Sequence, residues 1–139
     1  MNKDLRVPRI VTLTTDFGID DGYAATIKGV VLSLNPDVRI IDISNTIRPQ
    51  DILQAAFVIH SAYKYFPENS IHLVIVDPGV GSNRKALVVK TREGHFLAPD
   101  NGVLTYILDN YYPSSKKFVS HDTILFGRKR LPDDIEAID

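Results

Sequence analysis

Short β-branched runs alternate with stretches of helical spacing along most of the chain, and this alternation predicts its elements. Arg9 to Thr14 (RIVTLT) is followed at once by polar residues and Gly18, which predicts a strand. Apolar residues at 23, 24, 27, 30, 31 and 34 then keep helical spacing between Asp21 and Leu34. Asn35-Pro36 ends that helix, because proline disfavours helical geometry in the residue before it. Val38 to Ile43 (VRIIDI) predicts a second strand. Pro49-Gln50-Asp51 opens a second helix, with apolar positions 52, 55, 56, 59, 62, 63 and 66, and Pro67 closes it. Ile71 to Val76 (IHLVIV) is apolar almost throughout, as suits a strand covered on both faces.

This β-α-β-α-β order argues for a parallel sheet with right-handed crossovers. Beyond it the pattern changes. Ala86 to Thr91 and His95 to Ala98 flank Glu93-Gly94 and predict a hairpin attached to the sheet. Val103 to Leu108 predicts a short helix, and Lys116 to Val119 another strand. After Thr123 the segment ILFGRKRLPDDIEAID alternates charge blocks with little core periodicity. The expected division is therefore an α/β domain over residues 1–122 and a divergent tail over 123–139.

Composition narrows the function classes. Of 139 residues, 44% are hydrophobic and 24% charged, the balance of a globular domain with a core. Sixteen basic and seventeen acidic residues leave a net charge of −1, so no basic field points to nucleic acid or to an anionic membrane. Without cysteine there is no disulfide, thiolate nucleophile or sulfur-ligated metal. No apolar run approaches the roughly 18 residues that span a bilayer. Met1 to Arg6 has no apolar signal segment, so a cytoplasmic location is expected.

In open parallel sheets, ligands bind beyond the carboxyl ends of the strands. Four polar, glycine-containing segments fall near such ends: Thr14 to Gly18, Ser44-Asn45, Asp77 to Ser82, and Pro99 to Gly102. Asp20 or Asp21 suits a helix cap, whereas Asp16 lies too early for one and could hold ribose hydroxyls. The aspartates could alternatively ligate Mg²⁺ or Ca²⁺. The loop resembles the DTDPGxDD segment of calcium-dependent nucleoside hydrolases, but Thr14 and Phe17 replace an aspartate and the proline, so no metal site is expected. Gly79 and Gly81 let the Asp77-to-Arg84 loop fold tightly, and no GK[ST] follows, so it is not a P-loop. An aspartate and an arginine facing each other in a pocket could hold and polarise one water. His60, His72 and His95 read as structural, while His121 could approach the site.

Four stretches, TLTTDFGIDDGYAATIKGV (12–30), DISNTIRPQDILQAA (42–56), YFPENSIHLVIVDPGVGSNRKALVV (65–89) and FLAPDNGVL (96–104), are similar to the S-adenosylmethionine (SAM) hydrolase family. Its members are also called SAM hydroxide adenosyltransferases and are relatives of the SAM-dependent fluorinase and chlorinase. The resemblance implies a doubly wound α/β domain, with a mostly parallel sheet and helices on both faces. It implies SAM as substrate, no cofactor, and a homotrimer whose SAM site lies between the N-domain of one subunit and the C-domain of its neighbour. Water would attack ribose C5′, releasing methionine and leaving adenosine. Asp16 matches the ribose-holding aspartate, and Asp21 a position near the methionine end. Asp77 and Arg84 match the first two members of an Asp–Arg–His set around the attacking water. The halogenating relatives carry tyrosine at the Asp77 position, so Asp77 favours water over halide. Asn101, in the fourth matched stretch, completes a substrate-binding set of Asp16, Asp21, Asp77 and Asn101, with Asp77 and Arg84 as the catalytic pair. The family's third member is a histidine in a His-Gly-Arg segment, whose nearest counterpart here is Phe126-Gly127-Arg128. Asn45 stands where the family usually has histidine. The family's C-terminal β domain has no counterpart in this sequence, so a truncated N-terminal domain is expected. The alternative to hydrolysis is a SAM- or adenosine-binding remnant without turnover, which Phe126 and the short tail favour.

Overall fold

The computed structural model describes residues 8–79 and 81–111 with their side chains, and the backbone of 117–120, 123–126 and 135–138. The β-branched run of the first element forms β1 (Ile10–Thr15), buried along nearly its whole length. Helix α1 (Tyr23–Leu34) follows, then β2 (Arg39–Ser44) and helix α2 (Ile52–Ala62). Strand β3 (Ser70–Ile75) completes the β-α-β-α-β unit. Strands β4 (Ala86–Lys90) and β5 (Gly94–Pro99) form the expected hairpin, and helix α3 (Thr105–Tyr111) comes next. Three short strands end the chain: β6 (Lys117–Ser120), β7 (Thr123–Phe126) and β8 (Ile135–Ile138).

The main sheet runs β2-β1-β3-β5-β4-β8. Strands β2, β1, β3 and β5 are parallel, whereas β4 pairs antiparallel with β5 and β8 antiparallel with β4. From β1 the chain moves outward through α1 to β2, then back past β1 through α2 to β3. Right-handed crossovers in opposite directions put their helices on opposite faces, so the fold is doubly wound. The point where the winding reverses lies between β1 and β3, and the crevice beyond their carboxyl ends is where such folds bind ligands.

One face of the sheet packs against α2 and α3. Val74, Val76, Leu87, Val89, Phe96 and Ala98 meet Ala55, Ala56, Ile59 and Tyr63 of the α2 region and Leu104, Ile107 and Leu108 of the α3 region. His72 joins this layer, fully buried, with its ring stacked on Phe96 at a centroid distance of 4.8 Å and edge-on to Tyr63. Its Nδ1 lies 2.8 Å from Thr12 Oγ1, its Nε2 has no partner, and burial lowers its pKa to about 4.

The second helix is shorter than the expected 49–66. Asp51 begins it, its side chain accepting from the Gln54 amide at 2.8 Å, and the Gln54 side chain in turn accepts from the Arg48 amide. Its end tightens into a 3-10 turn at Tyr63–Tyr65, since Pro67 holds Phe66 extended. On α1 the stripe facing the sheet is Ala24, Ile27 and Val31, all half-buried, whereas Tyr23, Val30 and Leu34 of the same periodic set stand exposed among the described residues. In the stretch expected to be a divergent tail, β7 forms a hairpin with β6, and β8 extends the main sheet beside β4.

Candidate functional site

Thr15 is the last residue of β1 and lies opposite Ile75 of β3, so Asp16 and Asp77 leave adjacent parallel strands at the same edge. Neighbouring strands lie about 4.8 Å apart, which places both carboxylates at one crevice. Arg84 reaches that edge by another route. Strand β4 starts opposite the end of β5, Ala86 against Pro99, so the antiparallel strand begins where its neighbours finish.

The loops after β1 and β2 are knitted together. Thr15 Oγ1 donates to Asn45 Oδ1 at 3.0 Å, the Gly18 amide to Asn45 O at 2.7 Å, and the Ile47 amide to Thr15 O at 3.2 Å. Asp16 Oδ2 accepts from the Gln50 amide at 2.7 Å, and Gln50 takes a left-handed backbone (φ 62°). Asp16 therefore spends one oxygen on the β2–α2 loop while standing at the crevice. Gly18, at φ 78°, turns the chain away from the sheet, where a side chain would strain the backbone.

The centre of the site is Asp77 with Arg84. Asp77 Oδ1 accepts from Arg84 Nη1 at 3.2 Å and from the Gly79 amide at 2.9 Å. The two side chains are only 17% and 12% exposed, so solvent screens the pair far less than an ordinary surface bridge. Gly79 makes this geometry possible. A Cβ built there would lie 2.6 Å from both Cζ and Nη2 of Arg84, so the guanidinium rests directly on the glycine. Gly81, at φ 84°, supplies the turn that returns the chain to Arg84, whose amide donates to Ser82 Oγ. A cleft of about 400 Å³ opens beside the pair, walled by Leu73, Ile75, Ala86, Leu97 and Pro99.

Asp21 and Asn101 make hydrogen bonds within the protein. Asp21 accepts from the Tyr23 amide at 3.1 Å and so supports the start of α1, while the helix cap itself, Gly22, offers no side chain. Asn101 is fully buried. Its Nδ2 donates to Val76 O at 2.7 Å, and its Oδ1 accepts from the Val103 amide at 3.1 Å. Both ends of its amide are thus used inside the protein, and it ties the β5–α3 loop to the residue before Asp77. In these contacts Asn101 acts as a strut for the site, a role that a polar residue in a Pro-Asp-Asn-Gly turn does not announce.

His60 and His95 sit on α2 and β5, as their spacing implied, and His121 lies outside the described residues. Phe126 ends β7, while Gly127 and Arg128 are also outside the described residues. Among the described residues no group of three or more His, Asp or Glu side chains is arranged to hold a metal ion, and no helix is long and apolar enough to cross a membrane. One group at the site had no role in the sequence reading. Asp100, just past β5, has a buried Oδ1 without a hydrogen-bond partner, and burial raises its pKa while Arg84 opposes the rise. Its signal was its place immediately after a strand ending at the same edge.

Comparison with known proteins identifies the family and the fold. The sequence model of the SAM hydroxide adenosyltransferase N-terminal domain matches residues 11–126. An (R)-S-adenosyl-L-methionine hydrolase from Methanocaldococcus jannaschii is 46% identical over 105 residues, covering 72% of this chain and 40% of that protein. A fluorinase from Nocardia brasiliensis is 27% identical over 125 residues, covering 73% of this chain and 42% of that protein. The crystal structure of an uncharacterized conserved protein from Thermotoga maritima superposes with a TM-score of 0.69 at 41% identity, covering 73% of this chain and 39% of that one. The chain thus spans about two fifths of the length of the relatives it matches.

Proposed function

The chain belongs to the SAM hydroxide adenosyltransferase family, matching its N-terminal domain, and from that premise we propose that it serves the hydrolysis of S-adenosyl-L-methionine to adenosine and L-methionine. The observation that carries this reading is the half-buried Asp77–Arg84 pair at the point where the sheet winding reverses.

The sulfonium is already a good leaving group, so the task of the protein is to hold a water in line with C5′ and take its proton. Water oxygen forms the new bond to C5′ while the C5′–S bond breaks, its electron pair neutralising the sulfur as methionine departs. Asp77 accepts the water's proton as general base. Arg84, 3.2 Å away, holds that carboxylate in place through a charge-assisted hydrogen bond. Asp16, with one oxygen fixed by the Gln50 amide, presents the other to the ribose hydroxyls and aims C5′ at the water. Asp21 stands near the methionine end, and the apolar walls of the cleft lower the cost of moving positive charge off sulfur. Residues 1–122 act in this reading as the nucleoside-binding domain, in a trimer whose neighbouring subunit closes the site.

The names of the curated relatives specify the (R) configuration at sulfur, and the same preference is proposed here. Incubation with (R)- and (S)-SAM, followed by chromatography, tests the reading. Adenosine should form from the (R) epimer in the wild type. Asp77→Ala should abolish its formation while leaving adenosine affinity within about threefold, since the carboxylate acts on water and its loss leaves uniform nucleoside binding intact. Free adenine as product, or unchanged turnover in Asp77→Ala, refutes it.

A further inference from the structure

The amide that meets Asp16 belongs to a turn held in an unfavourable shape by the start of α2. The Asp51 amide donates to Arg48 O at 2.9 Å, closing a four-residue turn over Arg48-Pro49-Gln50-Asp51. Gln50, its third residue, has φ 62°, and proline at the second position excludes positive φ there. That combination defines a type II turn, whose third position ordinarily belongs to glycine or asparagine. Strain of this kind persists only where surrounding contacts fix it. Here they do. On one side of Gln50 the Arg48 amide donates to Gln54 Oε1 at 2.8 Å. On the other, Asp51 Oδ1 accepts from the Gln54 amide, and the Ile52 amide donates to Gln50 O at 3.0 Å. The Arg48–Asp51 ion pair, with the Arg48 side chain 75% exposed, adds little.

We propose that this turn is the positioning element of Asp16, and that Gln50 acts through its backbone amide. A type I turn, which suits a Pro-Gln pair better, differs by turning the Pro49–Gln50 peptide over. It would show Asp16 a carbonyl oxygen where the amide now stands. The type II turn instead donates to Asp16 Oδ2 at 2.7 Å, a charge-assisted bond that fixes the plane of the carboxylate. The backbone around Asp16 is already pinned, because Thr15 O accepts from the Ile47 amide and the Gly18 amide donates to Asn45 O. The side-chain torsions of Asp16 are the freedom left, and the Gln50 amide removes it, settling which way the other oxygen faces. Gln54, whose bonds go to Arg48 and Asp51, is a positioning residue one step further removed. That Asp16 holds a ribose rests on the hydrolase reading, but how its carboxylate is held does not.

Amide hydrogen exchange at residue 50, followed by NMR, is the test. Asp16→Ala should speed that exchange at least about tenfold, the factor expected from losing a hydrogen bond to a charged group. Gln50→Gly removes the side chain but favours the left-handed turn, so protection should persist and melting temperature should not fall. Gln50→Val opposes the turn, and exchange should quicken as in Asp16→Ala. Gln54→Ala frees the Arg48 amide and should quicken exchange at residue 50 at least about threefold. Gln54→Glu, which keeps the acceptor, should restore protection. Adenosine affinity should follow protection, falling at least about tenfold in Gln50→Val. Protection kept in Asp16→Ala or Gln50→Val, or lost in Gln50→Gly, overturns the proposal. So does a Gln54→Ala variant that melts lower with the residue-50 amide still protected. If the wild type binds no adenosine, the nucleoside reading fails, while the exchange rates still decide how Asp16 is held.

Discussion

Replacing Gly79 by alanine should separate the function of the site from the stability of the fold. The added methyl carbon would lie 2.6 Å from Arg84 Cζ, against the roughly 3.5–4.0 Å at which carbon atoms pack, so the guanidinium must move by about 1 Å. The Nη1–Oδ1 distance of 3.2 Å is already at the outer end of the hydrogen-bond range, and that displacement breaks the bond. A hydrogen bond to a charged group contributes about 1.5–3 kcal/mol, so turnover should fall by about 10- to 150-fold. Stability should fall by no more than the loss of that one bond. Gly79, unlike Gly81 at φ 84°, has no left-handed backbone to strain, and the atoms displaced belong to the far end of a side chain, not to backbone. Gly81→Ala provides the contrast, losing about 1–2 kcal/mol of stability through its backbone. Adenosine release and thermal unfolding should be measured on both variants. Turnover within threefold of wild type in Gly79→Ala, with the Arg84–Asp77 bond intact in its structure, would refute the reasoning.

Two further outcomes follow from the core. His72 is buried neutral, with a pKa of about 4 in the fold against 6.5 when unfolded, so the unfolded chain binds the extra proton between those values. Its contribution is complete above pH 6.5 and is lost as pH falls toward 4, amounting to about 2 kcal/mol by pH 5. Denaturant titrations at pH 7 and pH 5 should show that loss, and His72→Gln should remove it; an equal loss in the variant would assign the effect to other groups. Asn101→Ala removes two buried hydrogen bonds and leaves the Val76 carbonyl unsatisfied, which should cost about 2–4 kcal/mol in chemical denaturation. A loss below 1 kcal/mol would mean that water replaces the amide there.

The doubly wound core was readable because its signals are local. Pro36 and Pro67 punctuate two helical periods, and the β-branched runs between them can hardly be anything but strands. That Asp16, Asp77 and Arg84 come to one end of the sheet was readable for a related reason: each stands at or near the end of a predicted strand. What escaped depended on contacts between distant segments. Nothing in the sequence shows that Gln50 adopts a left-handed backbone and gives its amide to Asp16. The Asp21 carboxylate and the Asn101 amide look alike as candidate ligands, yet one braces a helix and the other is sealed in the core. Asp100 needed the strand order, since only the placement of β5 between β3 and β4 brings the residue after β5 to the same crevice. Strand β8 escaped because four residues, Ile-Glu-Ala-Ile, carry too short a period to distinguish a strand from a tail.

The reversal of β4 against β5 gives the segment from Asp77 to Arg84 the character of an exchangeable cassette. Its two mounting points, the finish of β3 and the start of β4, are locked by sheet pairing on either side. Lengthening, shortening or rewriting the seven positions beyond Asp77 would re-aim the cation without shifting any strand against another. A scaffold built this way can revise the loop that carries the ion pair, while the Asp16 loop after β1 stays as it is.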